Sequence, residues 1–272
     1  MFVKRLISGI FLLAAAVVLF AVGGPALLLV LAAISIVGQN EFYHAVDMKH
    51  DVLRHLGYAM TVIYYLMVFF EGRKYIAGMI VGTLLVLLIV YVASYPRYRI
   101  EDISIAFFGV CYVSVMMSYI YLTRHYLDGK YYVWLILLCS WGCDTLAYCT
   151  GMLIGKHKMT PLLSPKKTWE GAFGGAIGAA LLGLIYGLIL GSRMNDTVKP
   201  AVTCAIACFI GAIISMIGDL AASGVKRNHN VKDYGHLIPG HGGILDRFDS
   251  MLFTAPAVYY AIYLLEDWVY IK

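Results

Sequence analysis

Long apolar runs alternate with short polar connections along the whole chain. A helix needs about 20 mostly apolar residues to cross the ~30 Å hydrocarbon core of a bilayer. A window of that length finds nine candidates, near 6–22, 26–43, 56–70, 75–94, 103–123, 131–153, 171–191, 201–221 and 248–270. The joins between them carry turn and charge signals: GGP, EGRK, SYPRYR, RHYLDGK and GSRMNDTVKP. None is long enough to hold a soluble domain. The pattern predicts an all-α polytopic integral membrane protein of about nine transmembrane helices. The opening MFVKRLISGIFLLAAAVVLFAVGG has the basic start and apolar run of a signal peptide. A second apolar run resumes at Ala26 after only GGP, so a retained first helix is expected.

Composition agrees. Of the 272 residues 61% are hydrophobic and 14% charged, where a soluble domain carries about 25% charged residues; the mean hydropathy is +0.78. The net charge of +5 does not point to a nucleic-acid partner, because no basic stripe interleaved with aromatics is present. It reads instead as loop charge facing an anionic leaflet, with membrane lipids as the partners. With the N-terminus inside, 14 of the 21 Lys and Arg fall on the inner side and seven on the outer, which favours a cytoplasmic N-terminus. The two richest loops, 154–170 and 222–247, then share the cytoplasmic face. The six Cys lie in apolar segments without a CxxC pair and read as packing residues. Gly171, Gly174, Gly175, Gly178, Gly183 and Gly187 give the seventh candidate successive GxxxG spacings. These serve close packing within the chain or a homodimer seam, and the first is the commoner use.

The chemistry gathers in the second half. Asp144 and Asp219 sit inside apolar segments, where a carboxylate is costly and marks a candidate functional site. In LLSPKKTWEGAFGG, Ser164 followed by Pro165 predicts a helix entry. Lys166 and Lys167 would then stand at a helix N-terminus, where cations are disfavoured unless an anion is bound with them. Headgroup snorkelling explains the same two lysines without a specific site. In SGVKRNHNVKDYGHLIPGHGGILDRFDS, residues 223–250, the glycines around His241 permit close backbone approach to a ligand. Asp246 and Asp249, three apart at a helix start, can share a face, and Arg247 between them offers a planar fork for phosphate. Carboxylates together with phosphate oxygens are the usual means of holding Mg²⁺. The set describes a polar basin on the cytoplasmic face, suited to a metal–polyphosphate ligand.

The pattern S-x-x-K-R-x4-K-D-x-G-x-x-I-P-x-H-G-G-I-x-D-R-F-D, Ser223 to Asp249, closely resembles the signature of phosphatidate cytidylyltransferases, also called CDP-diacylglycerol synthases. The D-x-x-A-Y from Asp144, the S-P-K-K-T-W-E-G from Ser164 and, more weakly, KRLISG and NEFY resemble other segments of the same family. The resemblance implies a multi-pass enzyme of a bacterial inner (plasma) membrane, its active site facing the cytoplasm. It would join CTP and phosphatidic acid into CDP-diacylglycerol and pyrophosphate, with Mg²⁺ and, in some members, K⁺ beside it. It also implies roles. Asp219 and Asp246 would ligate metal, and Asp144, Asp249 and Lys167 would act with Asp246 in catalysis. Ser164, Lys166, Ser223, Lys226, Arg227, His241, Gly242, Gly243 and Arg247 would bind substrate or phosphate. Residues 1–130 would form scaffold and lipid access, and residues 131–272 the catalytic region. Two other readings remain: a CTP-dependent kinase of a lipid alcohol, and a transporter using Asp144 and Asp219 as ion-path residues.

Overall fold

The structure, a computed structural model, describes residues 2–71, 73–195, 199–238, 240 and 242–270, with the side chains of 2–7, 71 and 267–270 left aside. Among the described residues nine long helices follow one another: α1 (Phe2–Val22), α2 (Gly24–Ala45), α3 (Asp51–Glu71), α4 (Ile76–Ala93), α5 (Ile100–Arg124), α6 (Gly129–Ile154), α7 (Trp169–Leu190), α8 (Pro200–Asn228) and α9 (Leu245–Tyr270). All but α1 are long and apolar enough to cross a membrane, and the apolar part of α1 is Ser8–Val22. The polytopic helical architecture expected from hydropathy is therefore what the chain adopts. In lipid a helix satisfies its own backbone, so apolar runs of this length have no open alternative. The break after α1 is made by Gly23 (φ 63°) and Gly24 (φ 56°), both left-handed, with Pro25 in the first turn of α2. Both α5 and α6 pass through a π-helical turn, at Val110–Val115 and Leu138–Gly142, a feature that often accompanies function.

Two local expectations are corrected. Ser164–Pro165 does not open a helix. Ser164–Thr168 forms β2, antiparallel to β1 (Lys158–Thr160). Steric pressure from Pro165 drives Ser164 into an extended conformation, and proline is tolerated near the start of an edge strand. The cap belongs to Thr168, whose Oγ1 accepts the Gly171 N–H at 3.2 Å. Lys166 and Lys167 therefore lie on a strand of period two and diverge: Lys166 is exposed and Lys167 half-buried. The second correction concerns α8. It runs unbroken to Asn228, so Ser223, Lys226 and Arg227 are helical and not part of a loop. Its basic last turn suits the negative end of the helix dipole, and Asn230 (φ 56°) turns the chain away.

By contacts the chain forms two compact units, Met1–Leu122 with Asn228–Phe248, and Thr123–Arg227 with Asp249–Lys272. The segment after α8 thus groups with the first five helices. In the first unit the core is Leu27, Tyr43, Leu53, Tyr64 and Ile103, all buried, and it carries a polar chain. Thr61 Oγ1 donates to Gln39 Oε1 (2.9 Å), Gln39 Nε2 to Tyr43 OH (2.8 Å), and Tyr43 OH to the Ala106 carbonyl (2.9 Å). Each side chain of this series has a hydrogen-bond partner, which matters where no water can replace it.

In the second unit α7 is a seam. A Cβ at Gly171 would meet the Ala147 carbonyl at 2.8 Å, and one at Gly175 the Ala147 Cβ at 2.8 Å, both on α6. Further along, a Cβ at Gly183 would lie 2.5 Å from the Cys204 carbonyl, and one at Gly187 2.5 Å from Ala201 Cα, both on α8. The glycines are thus consumed within the chain. Cys143, Ala176, Ala179, Ala212 and Met216 fill the same three-helix junction. Gly187→Ala forces backbone apart and is expected to cost about 1–3 kcal/mol, read as a lower melting temperature in detergent. Gly82→Ala on α4, where a Cβ meets nothing within 4 Å, is expected to leave the melting temperature unchanged or slightly raised.

Candidate active site

Each unit holds its own polar cavity. In the second unit Lys167, on β2, forms an ion pair with Asp219 on α8. Asp144, on α6 just after its π-helical turn, lies within electrostatic range of both. A cavity of about 480 Å³ opens beside them, lined by Asp144, Ser164, Lys166 and Lys167 and walled by apolar residues including Tyr148 and Met152. Tyr148 and Met152 are 69% and 67% exposed, so the apolar wall lies on an exposed face of α6. The hairpin is anchored by Glu170, whose carboxylate accepts the backbone N–H groups of Lys156 (3.1 Å) and His157 (3.2 Å) and meets His157 Nδ1 at 2.6 Å. Lys226 and Asp249 face each other at 3.8 Å, their side chains only 11% and 12% exposed. Ser223 is half-buried on α8 and Arg227 is exposed.

In the first unit the segment between α8 and α9 folds over itself. The Ile238 N–H donates to the Gly242 carbonyl at 2.8 Å, with Gly240 (φ 79°) and Gly242 (φ 85°) left-handed at the turn. Pro239 and His241 lie outside the described residues. Asp246, 7% exposed, accepts the N–H groups of Tyr234 (2.8 Å) and Gly243 (3.0 Å) on one oxygen, Oδ2. The Gly243 N–H is therefore occupied by a carboxylate in this arrangement. A cavity of about 530 Å³ is lined by Lys232, Asp233, His236, Gly240, Gly242 and Arg247. The Arg247 Nε is buried with no hydrogen-bond partner among the described residues. A buried, unpaired guanidinium nitrogen costs free energy until an acceptor arrives, and beside Lys232 and His236 the fitting acceptor is an anion.

Of the sequence-predicted residues, the structure brings Asp144, Lys167 and Asp219 together, and Lys226 with Asp249. Asp246 and Arg247 belong to the other unit. Sequence reasoning passed over Glu41, on α2. It is 7% exposed and its two oxygens accept the N–H groups of Ile244 (3.0 Å) and Leu245 (2.8 Å). The signal was available, since a lone acid in an apolar helix is expensive. Among the described residues no three His, Cys, Asp or Glu side chains cluster closely enough to hold a metal by themselves. The carboxylates present therefore fit a hard cation only if it brings phosphate oxygens as its remaining ligands, which is the habit of Mg²⁺.

Comparison with known proteins agrees with this chemistry. A profile described as the Cytidylyltransferase family matches residues 3–265. The phosphatidate cytidylyltransferase of Staphylococcus haemolyticus (strain JCSC1435) is 36% identical over 171 residues, 63% of each chain. Those of Staphylococcus saprophyticus subsp. saprophyticus (strain ATCC 15305) and Staphylococcus aureus (strain COL) are 36% identical over 174 residues (63% of each chain) and 34% over 165 residues (61% of each). The alignments thus span somewhat under two thirds of the length of these curated relatives. With the profile covering nearly every residue, the chain belongs to the cytidylyltransferase family.

Proposed function

We propose that the protein transfers the cytidylyl group of CTP to phosphatidic acid, giving CDP-diacylglycerol and pyrophosphate. The observation that carries this reading is the cavity in which Lys166, Lys167 and Asp144 share a space with exposed apolar residues of α6. Such a cavity suits a phosphate on a diacyl tail, with the charged end on the lysines and the chains along the helix. The relatives' name, phosphatidate cytidylyltransferase, supports the same substrate. The polar cavity with its unpaired Arg247 nitrogen suits the phosphates of a nucleotide.

The phosphatidic acid phosphate is already an anionic nucleophile near neutral pH, so little general-base help is needed. The barrier lies in bringing two anions together and in the charge that leaves on pyrophosphate. Lys167, Lys226, Arg227 and Arg247 answer the first by holding phosphate oxygens, and they position the α-phosphorus for in-line attack. Lys166 and Ser164 hold the lipid phosphate at the mouth of the cavity. Ser223, His241 and Gly242 complete the signature's substrate contacts, while the Gly243 N–H is given to Asp246, and Asp144 and Asp249 fix the lysines they face. Asp219 and Asp246 are the carboxylates proposed as metal ligands, and a divalent metal, Mg²⁺ with K⁺ beside it, would neutralise the triphosphate. Residues 131–272 carry the chemistry on this reading, and residues 1–130 the scaffold and lipid access. The active site faces the cytoplasm from a bacterial plasma membrane, in keeping with the 14-to-seven split of Lys and Arg. A homodimer is compatible with it.

The test is incubation of purified protein with CTP, Mg²⁺ and phosphatidic acid, following pyrophosphate and CDP-diacylglycerol. Both products in equal amounts are expected. CDP formed with a lipid alcohol, and no pyrophosphate, would instead indicate a CTP-dependent kinase.

A further inference from the structure

The proposed reaction gives work to Asp246 and Arg247 but does not explain how the helix turn that carries them is held. We infer that Glu41 is the positioning residue for that turn: its carboxyl group, reaching from α2, pins the start of α9 and sets where Asp246 and Arg247 present their charges. The first N–H groups of a helix have no partner within it. The residue before the helix usually supplies an acceptor, but here that residue is Ile244, which has none. Glu41 supplies it from 203 residues away, one oxygen to Ile244 and the other to Leu245. Asp246 takes the N–H groups of Tyr234 and Gly243, so two carboxyl groups between them hold four backbone donors of one short segment.

The signature's glycines fit this role. A Cβ at Gly235 or at Gly243 would stand 2.6 Å from the Glu41 carboxyl carbon, so both positions must be bare for the acid to seat. Gly38, one turn earlier on α2, faces the same Leu245, whose Cδ1 would be in ordinary van der Waals contact with a Cβ there, at 3.6 Å. An acid kept only to stabilise the bundle would not need its partners to be the first turn of α9, nor glycines on both sides. Near the positive end of a helix dipole its charge is also favourably placed.

The experiment uses the full chain in detergent and rests on the proposed function only for its kinetic arm. Glu41→Gln keeps the shape but turns an amide N–H₂ toward one of the two donors, so one bond is lost. Amide hydrogen exchange at Ile244 and Leu245 is expected to quicken at least tenfold with the melting temperature held within a few degrees. The kcat is expected to fall at least tenfold while KM for CTP and for phosphatidic acid changes less than threefold. Gly243→Ala alone should lose as much. The double variant Glu41→Ala/Gly243→Ala should lose no more than Glu41→Ala, because the group that collides is gone. Unchanged exchange at 244–245, an unchanged kcat in Glu41→Gln, or strictly additive losses would overturn the assignment. A parent protein without cytidylyltransferase activity would sink the proposed function, while the exchange result would still decide whether Glu41 pins the turn.

Discussion

Replacing Lys167 by Ala is expected to slow pyrophosphate release from CTP and phosphatidic acid by a factor of about 100 to 1,000, the usual loss when one preorganised charge contact to a reacting group is removed. Lys167 is the only Lys or Arg within ion-pairing distance of Asp219 among the described residues, and Asp144 lies close to both. Without its ammonium group the charges of Asp144 and Asp219 are left without that counter-charge, and the site proposed for phosphate changes from receptive to repellent. The loss should therefore appear in KM for phosphatidic acid as well as in kcat. Lys167→Arg keeps the charge but brings a planar fork in place of a compact ammonium group, and is expected to recover only part of the rate. Lys166→Ala, exposed on the same strand, should cost far less. Equal losses at the two positions would show that β2 contributes general positive charge and not one placed group.

The second large effect is at Asp246. Its Oδ2 accepts two backbone N–H groups, so one side chain does two things: it holds the segment before α9 and it presents charge. Two substitutions separate them. Asp246→Asn retains a carbonyl oxygen able to accept the same two donors, and the fold should survive with a melting temperature near that of the parent. Its rate is expected to fall by about 1,000-fold if the charge serves a metal-bound triphosphate. Asp246→Ala also leaves two donors unsatisfied, which costs roughly 1–3 kcal/mol for each buried group. It should lose both rate and stability. Parent-like turnover in Asp246→Asn would remove Asp246 from the chemistry and leave it a structural cap.

The nine helices were readable because lipid permits a spanning segment little else. Their ends were less so. A hydropathy window marks where the chain is greasy, and α8 continues for two turns as SGVKRN after its apolar character fades. Thr168 was hidden by a stronger local signal, since Ser164–Pro165 is a good helix entry wherever no strand partner is near, and Lys158–Thr160 supplies one. Asp144, Asp219 and Lys167 were legible singly as polar groups in apolar surroundings, although only folding makes them neighbours. Glu41 has the same character but stands far from the signature in sequence. Its partners are backbone N–H groups, which every residue but proline has and no spacing rule can flag. The glycines around His241 had a sound reading as room for a ligand. At Gly235 and Gly243 the room is taken by a carboxyl group from α2.

The unbroken course of α8 makes it a ruler. Asp219, Ser223 and Lys226 stand at i, i+4 and i+7 along it, on one face, and the helical rise fixes Lys226 about 10 Å beyond Asp219 along the axis. Loops can drift to suit a ligand, but this spacing cannot change without breaking backbone bonds. On the proposed function, the stripe would measure its substrate by length: a ligand meeting both ends would need charge at two points about that far apart.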